Sequence, residues 1–101
     1  MESIEMTNRE LLVLAAQAAG IADGAVFYDM ENDKEWNPLT DDGDALRLAV
    51  KLKLEVSIWY GDTTVASDFA ETEKVQHEDD PYAATRRAIV RAAAEIGRAM
   101  K

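Results

Sequence analysis

The chain has no cysteine, a single histidine and no long apolar run, and each shortage removes a class of function. Without cysteine there is no disulfide and no thiolate metal site, a composition that suits a reducing compartment. His77 alone cannot form a multi-histidine zinc site, and its polar surroundings predict a solvated side chain. No segment approaches the ~20 apolar residues that cross a bilayer, and the N-terminus lacks the basic start of a signal peptide. We therefore expect a cytoplasmic protein without a membrane partner.

Basic side chains are also scarce, since 11 lysines and arginines stand against 20 aspartates and glutamates, for a formal charge of −9. The distribution is uneven, because the segment after Asp80 is basic and the rest of the chain is acidic. A mostly acidic body predicts poor nucleic-acid binding, since phosphate contacts need cationic surface. The basic segment can still meet a small anion, and the acidic body can meet a basic protein.

The residues that are present predict one globular domain over residues 1–101, with 48% hydrophobic and 31% charged side chains. Its first helix begins at a capping box formed by Thr7 and Glu10 and ends at Gly20. The apolar stripe of this helix is predicted at Leu11, Leu14, Ala15 and Ala18.

The second helix follows a predicted strand at Gly24–Met30 and a loop or hairpin tip, from which Trp36 folds onto the core. Thr40 is the predicted N-cap, with Asn37 as the alternative. The buried stripe is predicted at Ala45, Leu48, Ala49 and Leu52.

A β-hairpin is predicted over residues 54–69, with a two-residue turn at Gly61-Asp62. Tyr60 is expected in the core, whereas Trp59 alternates onto the opposite face of the sheet. Residues 71–80 are compatible with either a loop or a short polar edge strand.

The last helix is predicted to be capped by Asp80, with Pro81 at its first position. Its apolar side is predicted at Tyr82, Ile89, Ala93, Ile96 and Met100. On the opposite side, Arg91 and Glu95 are spaced as an i,i+4 ion pair. The element order predicts an α+β fold in which helices pack on a small antiparallel sheet of three or four strands. A three-layer α/β/α sandwich is the alternative arrangement.

The aspartates Asp41, Asp42 and Asp44 are the chain's most conspicuous candidates for chemistry, because they lie within four residues. Their spacing does not match a calcium-binding loop, and the first turn of a helix stabilises negative charge without any ligand. A magnesium site would need these carboxylates together with those of Glu78–Asp80. Helix capping accounts for both clusters, so we predict a protein that is not an enzyme and needs no cofactor.

Three segments of the chain resemble the phage ABA sandwich domain, a family of small bacteriophage and prophage proteins. They are "LLVLAAQAAG", "WNPLTDDGDALRLAVKLKL" and "DPYAATRRAIVRAAAEIGRAM". The resemblance implies an α/β/α layered fold and a phage-encoded protein in the cytoplasm of a host bacterium, and it implies no established catalytic activity. The matching residues are Trp36, Asn37, Pro38, Asp41, Asp42, Asp44, Arg47, Thr85, Arg86 and Arg87.

This signature has a structural and a functional interpretation. In the structural one, Trp36 covers the sheet, and Arg86 or Arg87 reaches a carboxylate in the first turn of the second helix. In the functional one, the same residues form a ligand site. The structural lock is the interpretation we favour.

Three hypotheses on function follow, and the leading one is a non-enzymatic binding protein of phage or prophage origin. It would occupy a host or phage protein, such as a defence component, with contacts from Trp36, Trp59, Arg86, Arg87 and Arg91. In the second hypothesis, a homodimer sequesters an anionic nucleotide signal between those arginines and an aromatic ring. The third is a metal-dependent hydrolase that uses the acidic clusters.

Overall fold

A computed structural model of the chain describes residues 6–20, 28–29, 34–68 and 71–100. The helices are α1 (Asn8–Ala19), α2 (Asp42–Lys51) and α3 (Pro81–Ala99). The strands are β1 (Tyr28–Asp29), β2 (Lys34–Glu35), β3 (Glu55–Ile58), β4 (Asp62–Ala66) and β5 (Glu73–Gln76). The fold is α+β, as predicted, with helices packed on an antiparallel sheet of order β3-β4-β5. In these described ranges no helix is both long and apolar enough to cross a membrane.

Helix α1 begins and ends where the sequence predicts. The Thr7 hydroxyl accepts from the Glu10 amide, and the Glu10 carboxylate accepts from the Thr7 amide, which completes the capping box. Gly20 then adopts a left-handed conformation with φ of 77°, which a residue without a Cβ enters at little cost. The most buried stripe is rotated from the predicted one toward Leu12, Ala16 and Ala19.

The segment between α1 and α2 contains a short antiparallel pairing of β1 with β2, in which Tyr28 is opposite Glu35. Strand β2 therefore lies within the segment predicted as a loop or hairpin tip. Most of the strand predicted at Gly24–Met30, and Phe69 at the end of the predicted return strand, lie outside the described residues.

Helix α2 starts later than predicted, because its N-cap is Asp41 and neither Thr40 nor Asn37. Asn37 instead begins a turn in which its side-chain oxygen accepts from the Leu39 amide at 3.0 Å and its carbonyl accepts from the Asp41 amide at 2.9 Å. Because Thr40 lies within this turn, the helix begins after it. Ala45, Leu48 and Ala49 of the predicted stripe are buried, and Leu52 is partly buried against the core.

The hairpin of β3 and β4 pairs Val56 with Val65 and Ile58 with Thr63, and β5 pairs with the other edge of β4. Its turn is centred one residue earlier than predicted, since the Trp59 amide donates to Asp62, which already belongs to β4. That shift places Tyr60 at the tip of the turn, where it is fully exposed. The expectation that Tyr60 lies in the core is therefore wrong.

Helix α3 is the centre of the fold, because it packs on β4 and β5 and also contacts α1 and α2. Contact on several sides explains why its buried surface is wide and rich in alanine. Tyr82 and Met100, predicted on the apolar side, are exposed because they lie at the two ends of the helix. Gly97 lies at a close approach of α3 to α1, since a Cβ there would collide with the backbone of Leu14. Among the described elements, α3 makes the main helix contact with the sheet, and α1 and α2 pack chiefly on α3.

Candidate functional site

The three aspartates at the start of α2 each have a structural partner. Asp41 caps the helix by accepting from the Asp44 amide at 2.8 Å. The Asp44 carboxylate is buried, with 1% of the residue exposed, and it accepts from the Asn37 amide at 2.9 Å and from Arg47 at 2.7 Å. Asp44 therefore joins the turn before α2 to the first turn of the helix.

Asp42 is the carboxylate that reaches α3. Its Oδ1 lies 2.6 Å from Nη1 of Arg86, and the Nε of the same guanidinium donates to the Leu39 carbonyl at 2.8 Å. The predicted lock between α3 and the first turn of α2 is thus present, and Arg86 forms it. Arg87 points elsewhere and donates to the Asn8 side chain on α1 at 2.8 Å.

Trp36 folds inward as predicted and belongs to the hydrophobic core, with 5% of its surface exposed. Pro38 beside it is also buried. Trp59 lies on the other side of the sheet from α3 and is 63% exposed, so the two tryptophans do not form a common surface. The side chain of Tyr28 lies outside what the structure describes.

A buried chain of hydrogen bonds links the sheet to α3, and no sequence pattern predicted it. The Thr63 hydroxyl lies 2.8 Å from His77 Nε2 and 2.8 Å from the Thr85 hydroxyl. Thr63 is fully buried and His77 is 9% exposed, so the expectation of a solvated histidine is wrong. Because Thr63 has no exposed surface, its hydroxyl serves to tie β4, β5 and α3 together.

A charged crevice lies between β5, α3 and the start of α1. Arg87, Arg91, Glu73 and Glu95 line it. Burial raises the pKa of the Glu73 carboxyl, the negative charge of Glu95 raises this pKa further, and the Arg91 guanidinium lowers it. Glu95 accepts from Arg98 at 3.3 Å, so the ion pair predicted with Arg91 is replaced by an i,i+3 pair.

Arg87 and Arg91 give the crevice the positive charge that the nucleotide hypothesis requires. The lining of the crevice contains no tryptophan, tyrosine or phenylalanine on which a base could stack. Arg86 is on the other side of α3, occupied by Asp42 and Leu39. The three arginines therefore do not converge on one pocket. In the part of the chain that the structure describes, no three histidine, aspartate or glutamate side chains are grouped so as to hold a metal ion.

A second depression, which we name the α2–β3–α3 groove, is mostly apolar and has a volume of about 680 Å³. It is defined here by Leu46 and Ala49 of α2, Val56 and Ile58 of β3, and Tyr82 and Ile89 of α3. Asp42 and Arg86 lie at its border. Leu46 and Ile58 are each 64% exposed and Tyr82 is 70% exposed, so three large side chains stand open to solvent around one groove.

Sequence reasoning missed this groove, apart from Arg86. Leu46 carried a signal, because it is an apolar residue placed off the buried stripe of α2. Val56 and Ile58 carried none, since their alternation predicts a core-facing strand equally well.

Apart from the lock, the signature residues have structural roles in the described contacts. Asn37 makes the turn, Asp44 binds Arg47, and Thr85 joins the buried polar chain. The resemblance to the phage ABA sandwich domain stays a prediction. Comparisons of the chain with protein-family models, with curated proteins and with solved structures found no match.

Proposed function

We propose that this chain is a non-enzymatic binding protein that docks a partner protein in the α2–β3–α3 groove. The observation that carries the proposal is the clustering of exposed Leu46, Ile58 and Tyr82 around one apolar depression. Scattered apolar side chains are ordinary on protein surfaces, whereas apolar residues contributed to one groove by three elements are typical of interaction sites.

The electrostatics favour a basic partner. The chain has a formal charge of −9, so a partner with cationic residues near its contact surface is attracted, and a second acidic copy is repelled. At the groove itself Arg86 is occupied by Asp42, which leaves apolar contact as the main source of binding free energy.

The biological setting comes from the sequence resemblance. It supports a protein encoded by a phage or prophage that acts in the host cytoplasm. A host protein, such as a component of a defence system, is the partner that this setting favours. The contacts of the three aspartates support a structural role for the acidic cluster at the start of α2.

The test uses two substitutions on α2 that are matched in exposure. Leu46 is 64% exposed and lines the groove, whereas Val50 is 66% exposed and does not line it. Leu46→Lys and Val50→Lys add the same charge to the same helix, and each is used with the wild type to capture proteins from a bacterial lysate. We expect a specific protein to be retained by the wild type and by Val50→Lys and lost with Leu46→Lys. Identical captures by all three proteins, or an empty capture by the wild type, would contradict the proposal.

A further inference from the structure

The outer edge of β3 carries backbone groups that pair with no other described residue. The Trp59 amide donates to the Asp62 carbonyl, which fixes Trp59 and Asp62 as a hydrogen-bonded pair. Bonded and non-bonded pairs alternate in an antiparallel ladder, so Val56 and Ile58 direct their N–H and C=O groups away from β4. Among the described residues these groups make no other hydrogen bond. Within the ranges that the structure describes, two donors and two acceptors along this edge therefore have no partner.

The side chains of the same two residues line the α2–β3–α3 groove. A strand added beside β3 would place the residues opposite Val56 and Ile58 on the groove face, because directly opposite residues share a face. There they would meet Leu46 and Ala49 of α2. The edge thus offers backbone hydrogen bonds and an apolar surface in one register.

The other face of β3 has a different chemistry. Glu55 and Trp59 flank Ser57 on that face, and both are exposed. A residue of an added strand opposite Ser57 would lie diagonally between a carboxylate and an indole ring, within reach of long side chains. Arginine or lysine satisfies both, through an ion pair with Glu55 and a cation–π contact with Trp59.

From these observations we propose that β3 binds an extended segment of the partner protein, which joins the sheet as a fourth strand. The segment presents apolar residues to the groove at alternate positions and a basic residue between them. This inference rests on the proposed function and adds the recognition mode to it. A helix in the groove would leave the amides of Val56 and Ile58 unused, and a second copy would bring another formal charge of −9 to the interface.

The opposite edge of the sheet, formed by β5, is less suited to an added strand than β3. On β5 the outward-directed backbone groups belong to Lys74 and Gln76, and Lys74 is exposed. A lysine on an edge strand is a common protection against unwanted strand pairing. The apolar groove lies beside β3 and not beside β5, so we assign the added strand to β3.

The test uses a fluorescent synthetic peptide in which three valines alternate with two arginines, followed by anisotropy. The wild type and Val50→Lys are expected to bind it equally, and Leu46→Lys about tenfold more weakly, a loss of ~1.4 kcal/mol. Methylation of the valine nitrogens, which face β3 in this register, should abolish binding. Methylation of the arginine nitrogens, which face away, should leave it within about twofold of the parent peptide.

Each other outcome overturns the inference. These outcomes are no peptide binding by the wild type, binding that survives methylation of the valine nitrogens, and a wild-type dimer that Ile58→Lys dissociates in sedimentation. The lysate capture stays independent of the peptide. If capture from the lysate depends on Leu46 but the wild type does not bind the peptide, strand addition is wrong and the proposed binding function stands. If the wild type also captures no specific protein, both proposals are wrong.

Discussion

Arg86 of α3 and Asp42 of α2 form the contact that joins the two helices beside the groove, with 2.6 Å between Nη1 and Oδ1. The Arg86 side chain is 17% exposed and the Asp42 side chain 69% exposed, so the two partners differ in what they lose when the pair is broken. Arg86 also donates to the Leu39 carbonyl, a bond that does not depend on Asp42.

We therefore expect Arg86→Ala to destabilise the fold more than Asp42→Ala does. The ion pair between Arg86 and Asp42 should contribute less than ~1 kcal/mol to stability, because solvent screens the exposed Asp42 carboxylate. Urea unfolding of both single variants and the double variant measures this coupling. Equal losses from the two single substitutions would show that the Leu39 bond contributes nothing.

Gly97→Ala should be strongly destabilising, because the added Cβ would collide with the Leu14 backbone where α1 crosses α3. Overpacking of this kind costs roughly 1–3 kcal/mol, and more where backbone must move. Gly61→Ala is the control, since no atom lies within 4 Å of a Cβ at that position. Thermal unfolding should show a large fall in Tm for the first variant and little change for the second.

Thr63→Val should cost about 1–3 kcal/mol although the side chain keeps its shape, because His77 and Thr85 lose a buried hydrogen-bond partner. Thr64→Val, on the neighbouring position of β4, is the matched control. Equilibrium unfolding in denaturant compares the two. A neutral Thr63→Val would mean that the buried polar chain does not stabilise the contact between α3 and the sheet.

Glu73→Gln should change stability in a pH-dependent way. The pKa of Glu73 is raised in the folded protein above its ordinary value of 4.5. The contribution of Glu73 to stability is therefore fully present at a pH below 4.5 and is lost as the pH rises through the raised pKa. The substitution should therefore raise Tm relative to the wild type at pH 7, and the difference should shrink toward zero below pH 4.5.

Glu55→Gln, on exposed surface of β3, controls for the removal of one negative charge from an acidic protein. A Tm difference for Glu73→Gln that is independent of pH, or that equals the Glu55→Gln difference throughout, would contradict the role of burial at Glu73.

The sequence predicted the parts of the fold that depend on local chemistry. The capping box of α1, the N-cap of α3 and the hairpin of β3 and β4 follow from spacing within a few residues. The predicted N-cap of α2 is wrong because Asn37, Thr40 and Asp41 can each cap a helix. The turn that begins at Asn37 decides among them.

What the sequence could not predict depends on residues far apart in the chain. Thr63, His77 and Thr85 meet only because β4, β5 and α3 pack together, and nothing in the polar run around His77 indicates burial. The groove is of the same kind, since Leu46, Ile58 and Tyr82 come from three elements. Which strands form the two edges of the described sheet is likewise a property of strand order and not of any one strand.

The most direct test of the binding surface is amide hydrogen exchange resolved by residue, measured by NMR with and without the valine–arginine peptide. In the free protein the amides of Val56 and Ile58 should exchange rapidly, while Ser57 and Trp59, which pair with β4, should be protected. With the peptide bound, Val56 and Ile58 should become protected as well. Protection of Val56 and Ile58 in the free protein, or rapid exchange that the bound peptide leaves unchanged, would contradict the account.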